Sequence, residues 1–400
     1  MASKSSATRN ESTLGSICAW PPRLPPGLDL TLLFTVAGMV LFGLIMVYSA
    51  SFIYAQERTG DGFAFIKKQL IVAILGFGAL FVSCRIPYRR WADWSYPVLG
   101  TAIFLLAMVL VPGVGSRVLG AQRWINLGPI NLQPGELAKF AVIIFVARLL
   151  EKKTDRLNKL VPGMVSPFFL TLPVFLLLLA QPDFGTTVMI SLVIFALMFL
   201  AGVPKRFLGS ALIMAGTVGA WLALGTEYRR ARVATFMDPW RDPAGKGFQI
   251  LQSFLGLSNG QILGVGLGNG KEKLFYLPEA HNDFIFAVIG EELGFIGVAA
   301  VVVTYLFFIY RGLKIGWTSY ERYGDRFGLL LASGITLALG IQGFVNMAVV
   351  LGLVPTKGLT LPFISYGGSA LLIDLFAVGI LLSVGKGPSP QSQPRKSLLA

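Results

Sequence analysis

The chain is 400 residues long, 54% hydrophobic and only 14% charged. A soluble domain carries roughly 25% charged residues, so too little polar surface is present to coat a water-facing globule, and disorder, collagen and a coiled coil are excluded as well. The net charge of +14 is what the positive-inside rule produces in a membrane protein, and it does not by itself call for a nucleic-acid partner.

Residues 1–28, rich in Ser, Thr and Pro, read as a disordered cytoplasmic tail. The apolar stretch at 29–51 is too long for the 7–15-residue core of a signal peptide, so it reads as a retained first helix. Runs of the length a bilayer needs, roughly 20 residues, follow near 69–84, 96–112, 136–150, 163–180, 185–203, 207–225, 284–310, 327–352 and 366–385. The expected fold is therefore an all-α membrane protein with about ten transmembrane helices, and a single membrane domain fills 29–385. A long outer loop, 226–283, separates helices seven and eight, and residues 386–400 form a second cytoplasmic tail. With both termini inside, the inner segments hold twenty Lys and Arg, and the short outer ones hold six. That asymmetry orients the chain N-in and C-in.

The inner loops are short and basic, whereas the outer ones are dense in Gly, Pro, Arg and carboxylates. Function concentrates in loops, so the working surface is expected to face away from the cytoplasm. No ATP is available there, and Gly264–Glu272 fails the phosphate-loop spacing. An outward reaction must use a substrate that arrives already activated. Cys18, Cys84 and His281 are the whole Cys/His inventory, which supports no zinc, haem or iron–sulfur set; His281 reads as a hydrogen-bonding loop residue.

Individual residues carry two readings each. The basic residues Arg229, Arg230, Arg232, Arg241 and Lys246 form either a solvated, ion-paired loop or an anion site, and charge alone favours the former. Phe248–Leu257 is amphipathic enough to lie over the bundle. Glu279 and Asp283 share a face if the eighth helix begins early. That helix, taken as 283–310, would be about 42 Å long, lifting Asp283 to an outward cavity; Asp283 is then equally a cap or a catalyst. Glu136 and Lys139, three apart, form a pair that faces either a cavity or only each other. Glu291, Glu292 and Asp374 have the same two readings, and Asp183 reads as a turn or cap residue.

Six stretches then carry a family resemblance: Met46–Ser51; Gly120–Ile125 with Gln133–Glu136 and Lys139; Gln181–Thr187; Asp238–Pro243; Leu277–Phe286; and Pro355–Ser369. In order, and over roughly 29–385, the chain resembles the SEDS family (shape, elongation, division and sporulation). Pro355-Thr-Lys-Gly358 leans toward its division branch rather than its elongation branch. Gly135, Asn282 and Ala370 stand where Ala or Ser, Thr, and Ser are usual, and none removes a charge. The resemblance implies a ten-span fold and an inverting peptidoglycan glycosyltransferase that polymerises lipid II at the outer face of the bacterial cytoplasmic membrane, at the division site. It makes Asp283 the catalytic base.

Arg123, Glu136, Lys139, Arg229, Arg232, Lys246, Glu279, Lys357 and Ser365 are then candidates for binding the pyrophosphate and sugars, with Glu136 orienting Lys139. No cofactor is identified, and a divalent cation, Mg or Mn, stays open. The implied partners are lipid II, membrane lipids, a class B penicillin-binding protein and other division proteins. Alternatives are a lipid II flippase, an elongation-type polymerase and a non-catalytic scaffold.

Overall fold

In hydrocarbon every backbone N–H and C=O must be satisfied within the protein, which helices do locally, and each of the ten apolar segments falls on a helix. The computed structural model describes residues 28–118, 121–126, 131–225, 227–245, 247–273, 277, 280–356 and 358–388, with backbone alone at 117–118, 121, 222–224, 227–229 and 232–233. The readings made for the two tails, and for Cys18, fall almost wholly outside the described residues.

In chain order the helices are α1 (Leu30–Thr59), α2 (Ala64–Arg85), a short α3 (Tyr88–Asp93), α4 (Ser95–Leu110), α5 (Pro134–Lys152), α6 (Ser166–Ala180), α7 (Phe184–Leu200) and α8 (Lys205–Leu224). They continue with α9 (Glu227–Met237), α10 (Phe248–Gly260), α11 (Ile285–Tyr323), α12 (Arg326–Val350) and α13 (Gly368–Gly385). Among the described residues six helical segments are long and apolar enough to cross a membrane, and α4 and α7 are shorter apolar helices. This is a multi-pass membrane protein.

Burial orders the bundle. The most apolar stretches of α12 and α13 are 72% and 78% buried, whereas those of α2 and α11 are each 28% buried. Helices α12 and α13, together with α5, most of whose residues are buried, thus form the centre, and α1, α2 and α11 turn large apolar side chains such as Phe34, Ile74 and Phe295 outward. A bilayer removes the hydrophobic penalty that such a surface would carry in water.

Three features depart from the sequence expectation. Between α4 and α5 lies a small antiparallel sheet of β1 (Gly115–Val118), β2 (Ala121–Asn126) and β3 (Asn131–Leu132), in the order β1-β2-β3. Its register pairs Ser116 with Trp124 and Ile125 with Leu132. The basic part of the outer segment, expected as a loop, is partly helical as α9. The eighth apolar segment is also neither as early nor as straight as its hydropathy suggested. It begins at Ile285, leaving Asp283 in the preceding turn, and it runs to Tyr323 with a break at Gly294 (φ 66°, ψ −163°).

That conformation suits only glycine, and the hydrogen bonds lost at the break are replaced from outside the helix. Phe295 N–H donates to Gln261 O at 2.9 Å, and Val265 and Gly266 donate to Glu291 O and Glu292 O, each at 3.0 Å. Hydropathy sees none of this, because the partners come from a different part of the chain.

A second glycine sets how closely the 361–365 turn approaches α1. A Cβ on Gly43 would lie 2.7 Å from both Ile364 Cα and Phe363 O, whereas one on Gly38 meets nothing within 4 Å. Gly43→Ala is therefore expected to lower stability by about 1–3 kcal/mol through overpacking. Gly38→Ala in the same helix should be neutral or stabilising by up to about 1 kcal/mol, with thermal unfolding of the purified variants as the measure.

Candidate functional site

The C-terminal ends of α1 and α12 and the N-terminal ends of α2, α5, α11 and α13 meet at one end of the bundle, and side chains knit them together. Gln69 of α2 donates to Ser365 O at 3.1 Å and accepts from Gly367 N–H at 3.3 Å. Gln133, ahead of α5, donates its N–H to Ser369 Oγ at 3.2 Å. Tyr366 N–H donates to His281 O at 3.0 Å. The segments 133–139, 280–283 and 358–369, separate in sequence, therefore line one place.

At its centre is a buried ammonium. Lys139 Nζ donates to Glu136 Oε2 at 2.7 Å and to Gln342 Oε1 at 2.6 Å, and Asp374 Oδ1 stands 3.6 Å away. All four residues are at most 5% exposed. An isolated charge at this depth would be unfavourable by several kcal/mol, so the partners are a requirement of burying Lys139 at all.

Gln342 passes the connection on by donating to Thr360 O at 3.2 Å. One turn further along α12, Asn346 donates to Asp283 O at 2.7 Å and to Leu359 O at 2.6 Å. Two amides four residues apart on one helix face thus hold both the turn that carries Asp283 and the 358–361 segment opposite it. Asp283 itself is half-buried, and a Cβ on Gly358 would lie 3.4 Å from its Oδ2, so that glycine leaves room beside the carboxylate.

The other sequence candidates divide. Glu136 and Lys139 pair as expected, but both N–H bonds of Lys139 described above end on protein, and its remaining direction faces Asp374. Arg123 donates to the carbonyls of Gln181, at 3.2 Å, and Pro182, clamping the sheet to the α6–α7 turn. Asp183 caps α7, accepting from Thr186 N–H at 3.1 Å and Thr186 Oγ1–H at 2.8 Å. Ser365 is buried, and its Oγ accepts from Leu361 N–H at 2.8 Å, bracing the turn. Lys246, Glu279 and Lys357 lie outside the described residues, as do the side chains of Arg229 and Arg232. The shared helix face read for Glu279 and Asp283 fails on the Asp283 side, because α11 starts two residues later.

Sequence reasoning missed Gln342 and Asn346, although two amides at i, i+4 in an otherwise apolar segment were a readable signal. It also missed the aromatic setting of His281, whose ring centroid lies 5.4, 4.7 and 5.6 Å from those of Tyr54, Phe65 and Tyr366. Glu291 and Glu292 are held below the 261–273 segment. Glu291 accepts from Lys271 N–H at 2.7 Å, and Lys273 Nζ bonds Glu292 at 2.6 Å.

Burial lowers the His281 pKa to about 4, so the ring is neutral near pH 7. Burial, and then the charge of Glu291, raise the Glu272 carboxyl to about 7. The native state takes up the His281 proton later than the unfolded chain does as pH falls, so that contribution to stability is lost on going from pH 7 to 5. Glu272 acts in the opposite sense, because its proton is bound more tightly in the native state and its contribution is lost as pH rises. The two oppose each other in the parent. Relative to it, His281→Gln is expected to gain about 2 kcal/mol as pH falls from 7 to 5, and Glu272→Gln to gain by a smaller amount, reduced by solvent screening, as pH rises over the same range. Thermal unfolding across that range separates them.

Comparison with known proteins places this architecture. The family model described as "Cell cycle protein", covering FtsW, RodA and SpoVE, matches residues 30–388. A relative from Geobacter sulfurreducens named probable peptidoglycan glycosyltransferase FtsW is 46% identical over 356 residues, 89% of this chain and 94% of the relative. One of the same name from Halorhodospira halophila is 44% identical, over 91% of this chain and 92% of its own. Among solved structures, a chain reported under "Structural coordination of polymerization and crosslinking by a peptidoglycan synthase complex" superposes with a TM-score of 0.73 at 34% identity, covering 90% of this chain and 97% of its own. The Thermus thermophilus rod shape determining protein RodA gives 0.66 at 30% identity, covering 90% and 96%. The chain belongs to the FtsW/RodA/SpoVE family of cell cycle proteins, the SEDS family that its motifs resemble.

Proposed function

We propose that this chain is a peptidoglycan glycosyltransferase that polymerises lipid II for septal wall synthesis, with Asp283 as its general base. The observation that carries the reading is the placement of Asp283. It is a half-buried carboxylate beside Gly358, on a turn whose carbonyl Asn346 grips at 2.7 Å. The relatives named probable peptidoglycan glycosyltransferase FtsW support the activity. The synthase-complex neighbour supports a class B penicillin-binding protein as partner.

In this reading the chain crosses the bacterial cytoplasmic membrane ten times with both termini inside, and it works at the division site. The Asp283 end of the bundle then faces outward, where lipid II arrives already activated as a pyrophosphate. The Lys and Arg asymmetry of the loops supports that orientation.

Chemically, the acceptor GlcNAc 4-hydroxyl attacks C1 of the donor sugar from the face opposite the pyrophosphate. The C1–O bond to pyrophosphate breaks, a β-glycosidic bond forms, and the hydroxyl proton passes to the Asp283 carboxylate. Undecaprenyl pyrophosphate leaves with the bonding electron pair, so cations that meet its growing charge can replace a general acid. Lys357, next in sequence to Gly358, and the basic residues Arg229, Arg232 and Lys246 supply them.

Lys139 serves differently. Its bonds end on protein, so it fixes Gln342 and the 358–361 segment and does not touch the leaving group. Among the described residues no group of three or more His, Cys, Asp or Glu side chains is placed to hold a metal ion.

Labelled lipid II, incubated with the purified protein and its transpeptidase partner, tests the reading. Asp283→Asn is expected to lower the rate of glycan-strand formation about 10²–10⁴-fold while melting like the parent. Undiminished polymer from the variant would remove Asp283 from the chemistry. Lipid transfer between leaflets without any polymer from the parent would favour a flippase.

A further inference from the structure

The end of the bundle opposite Asp283 carries a pocket that the reaction does not use. It lies where α5 ends and the chain turns back through a π turn, Val161–Val165, into α6. Its volume is about 490 Å³, and Lys152, Lys153, Arg156 and Lys159 line it with Val161 and Ser166. Asp155 is the one acidic residue in the lining. The neighbouring Glu151 is spent elsewhere, on Arg89 at 2.9 Å and on Arg148 at 2.5 Å. Among the described residues none of the four lining cations forms a carboxylate pair.

The pocket is held in shape. Lys153 Nζ donates to Ser166 Oγ at 2.8 Å, which fixes the ammonium and leaves it two further N–H donors. Lys152 Nζ sits 5.7 Å from the Tyr96 ring centroid. Leu157 is 4% exposed and anchors the turn, and a Cβ on Gly163 would stand 2.3 Å from Leu157 O, so the backbone closes tightly behind the pocket. Lys152, Arg156 and Lys159 are exposed at its rim, and Lys153 is half-buried behind them.

The C-terminal end of α5 presents about half a negative charge, which opposes an anion. Four cations against one carboxylate outweigh it. What distinguishes the place from a basic loop in water is its edge: Val161, Val165 and Phe169, four residues apart, are exposed by 62%, 39% and 66%. A charged pocket opening beside an apolar, lipid-facing stripe matches a molecule with a phosphate at one end and acyl chains at the other. Basic pockets at the ends of transmembrane helices take anionic headgroups in this way.

We propose that this pocket binds the phosphate headgroup of an anionic phospholipid, with the acyl chains along the exposed face of α6. Its assignment to the cytoplasmic leaflet rests on the orientation proposed above; binding of the headgroup does not.

The test uses the full chain in detergent micelles, titrated with phosphatidylglycerol or phosphatidylcholine and read by native mass spectrometry as retained lipid. The parent is expected to retain phosphatidylglycerol in preference to phosphatidylcholine. The triple variant Lys152→Gln, Arg156→Gln, Lys159→Gln should bind phosphatidylglycerol roughly 100-fold more weakly, at about one factor of five per charge. Lys205→Gln with Arg206→Gln, which neutralises a different basic loop, should leave binding within about twofold of the parent if the pocket is specific. If the triple variant does not fold, the three single variants carry the test, each with roughly a fivefold loss.

Equal losses from both sets of substitutions would reduce the effect to general surface charge and overturn the proposal. So would retention that does not distinguish the two lipids. A third contrary result is displacement of the lipid by millimolar inorganic phosphate, which would make the site one for free phosphate. A fourth is capture of an acidic peptide such as poly-glutamate with no phosphatidylglycerol retained. Because the readout is lipid retention, it stands whether or not Asp283→Asn abolishes polymerisation.

Discussion

One buried ammonium organises the working end of this protein. Lys139 is buried inside the bundle, and its charge is tolerable there because Glu136, Asp374 and Gln342 surround it. Those partners come from α5, α13 and α12, so satisfying one charge fixes three helices relative to one another. From Gln342 and Asn346 the same constraint reaches the 358–361 segment and the backbone of Asp283. Asp283, the proposed base, is therefore held by a ladder of buried polar groups rooted in α5, α12 and α13, although it stands in a turn.

This division of labour explains why so much charge is buried in a protein with so little of it. A glycosyl transfer that starts from a pyrophosphate needs few reacting groups, but it needs them placed to within a fraction of an ångström. In water the ladder would be loosened by competing solvent. In a low-dielectric interior each partner that is removed strands a charge or a carbonyl, so the arrangement tends to persist as a unit. Arg123 and Ser365 contribute at the level of support, clamping the sheet and bracing the 361–365 turn.

Much of this was legible before any coordinates. The ten apolar runs are helices, the Glu136–Lys139 pair exists, Asp183 caps a helix, and the motif segments at 133–139, 280–283 and 358–369 gather at one end. Local spacing and hydropathy determine all of these. What was not legible depends on contacts between distant parts of the chain. The break at Gly294 is stabilised by the 261–266 backbone, the sheet in 115–132 is closed by pairing that hydropathy ignores, and the early start read for the eighth helix yields to a turn held by Asn346. The charge of Lys139 is visible in the sequence and makes it a candidate for the leaving group, whereas its partners on α12 and α13 appear only once the helices pack.

The claim that buried amides set the position of the proposed base, Asp283, is tested most directly at Asn346, which is fully buried and donates to two protein carbonyls. The measurement is kcat and KM for lipid II polymerisation by Asn346→Ala, in protein that still unfolds cooperatively above the assay temperature. The account predicts that kcat falls roughly 10- to 100-fold while KM stays within about twofold, because a small displacement of the base weakens the transition state more than substrate binding. An unchanged kcat would contradict it.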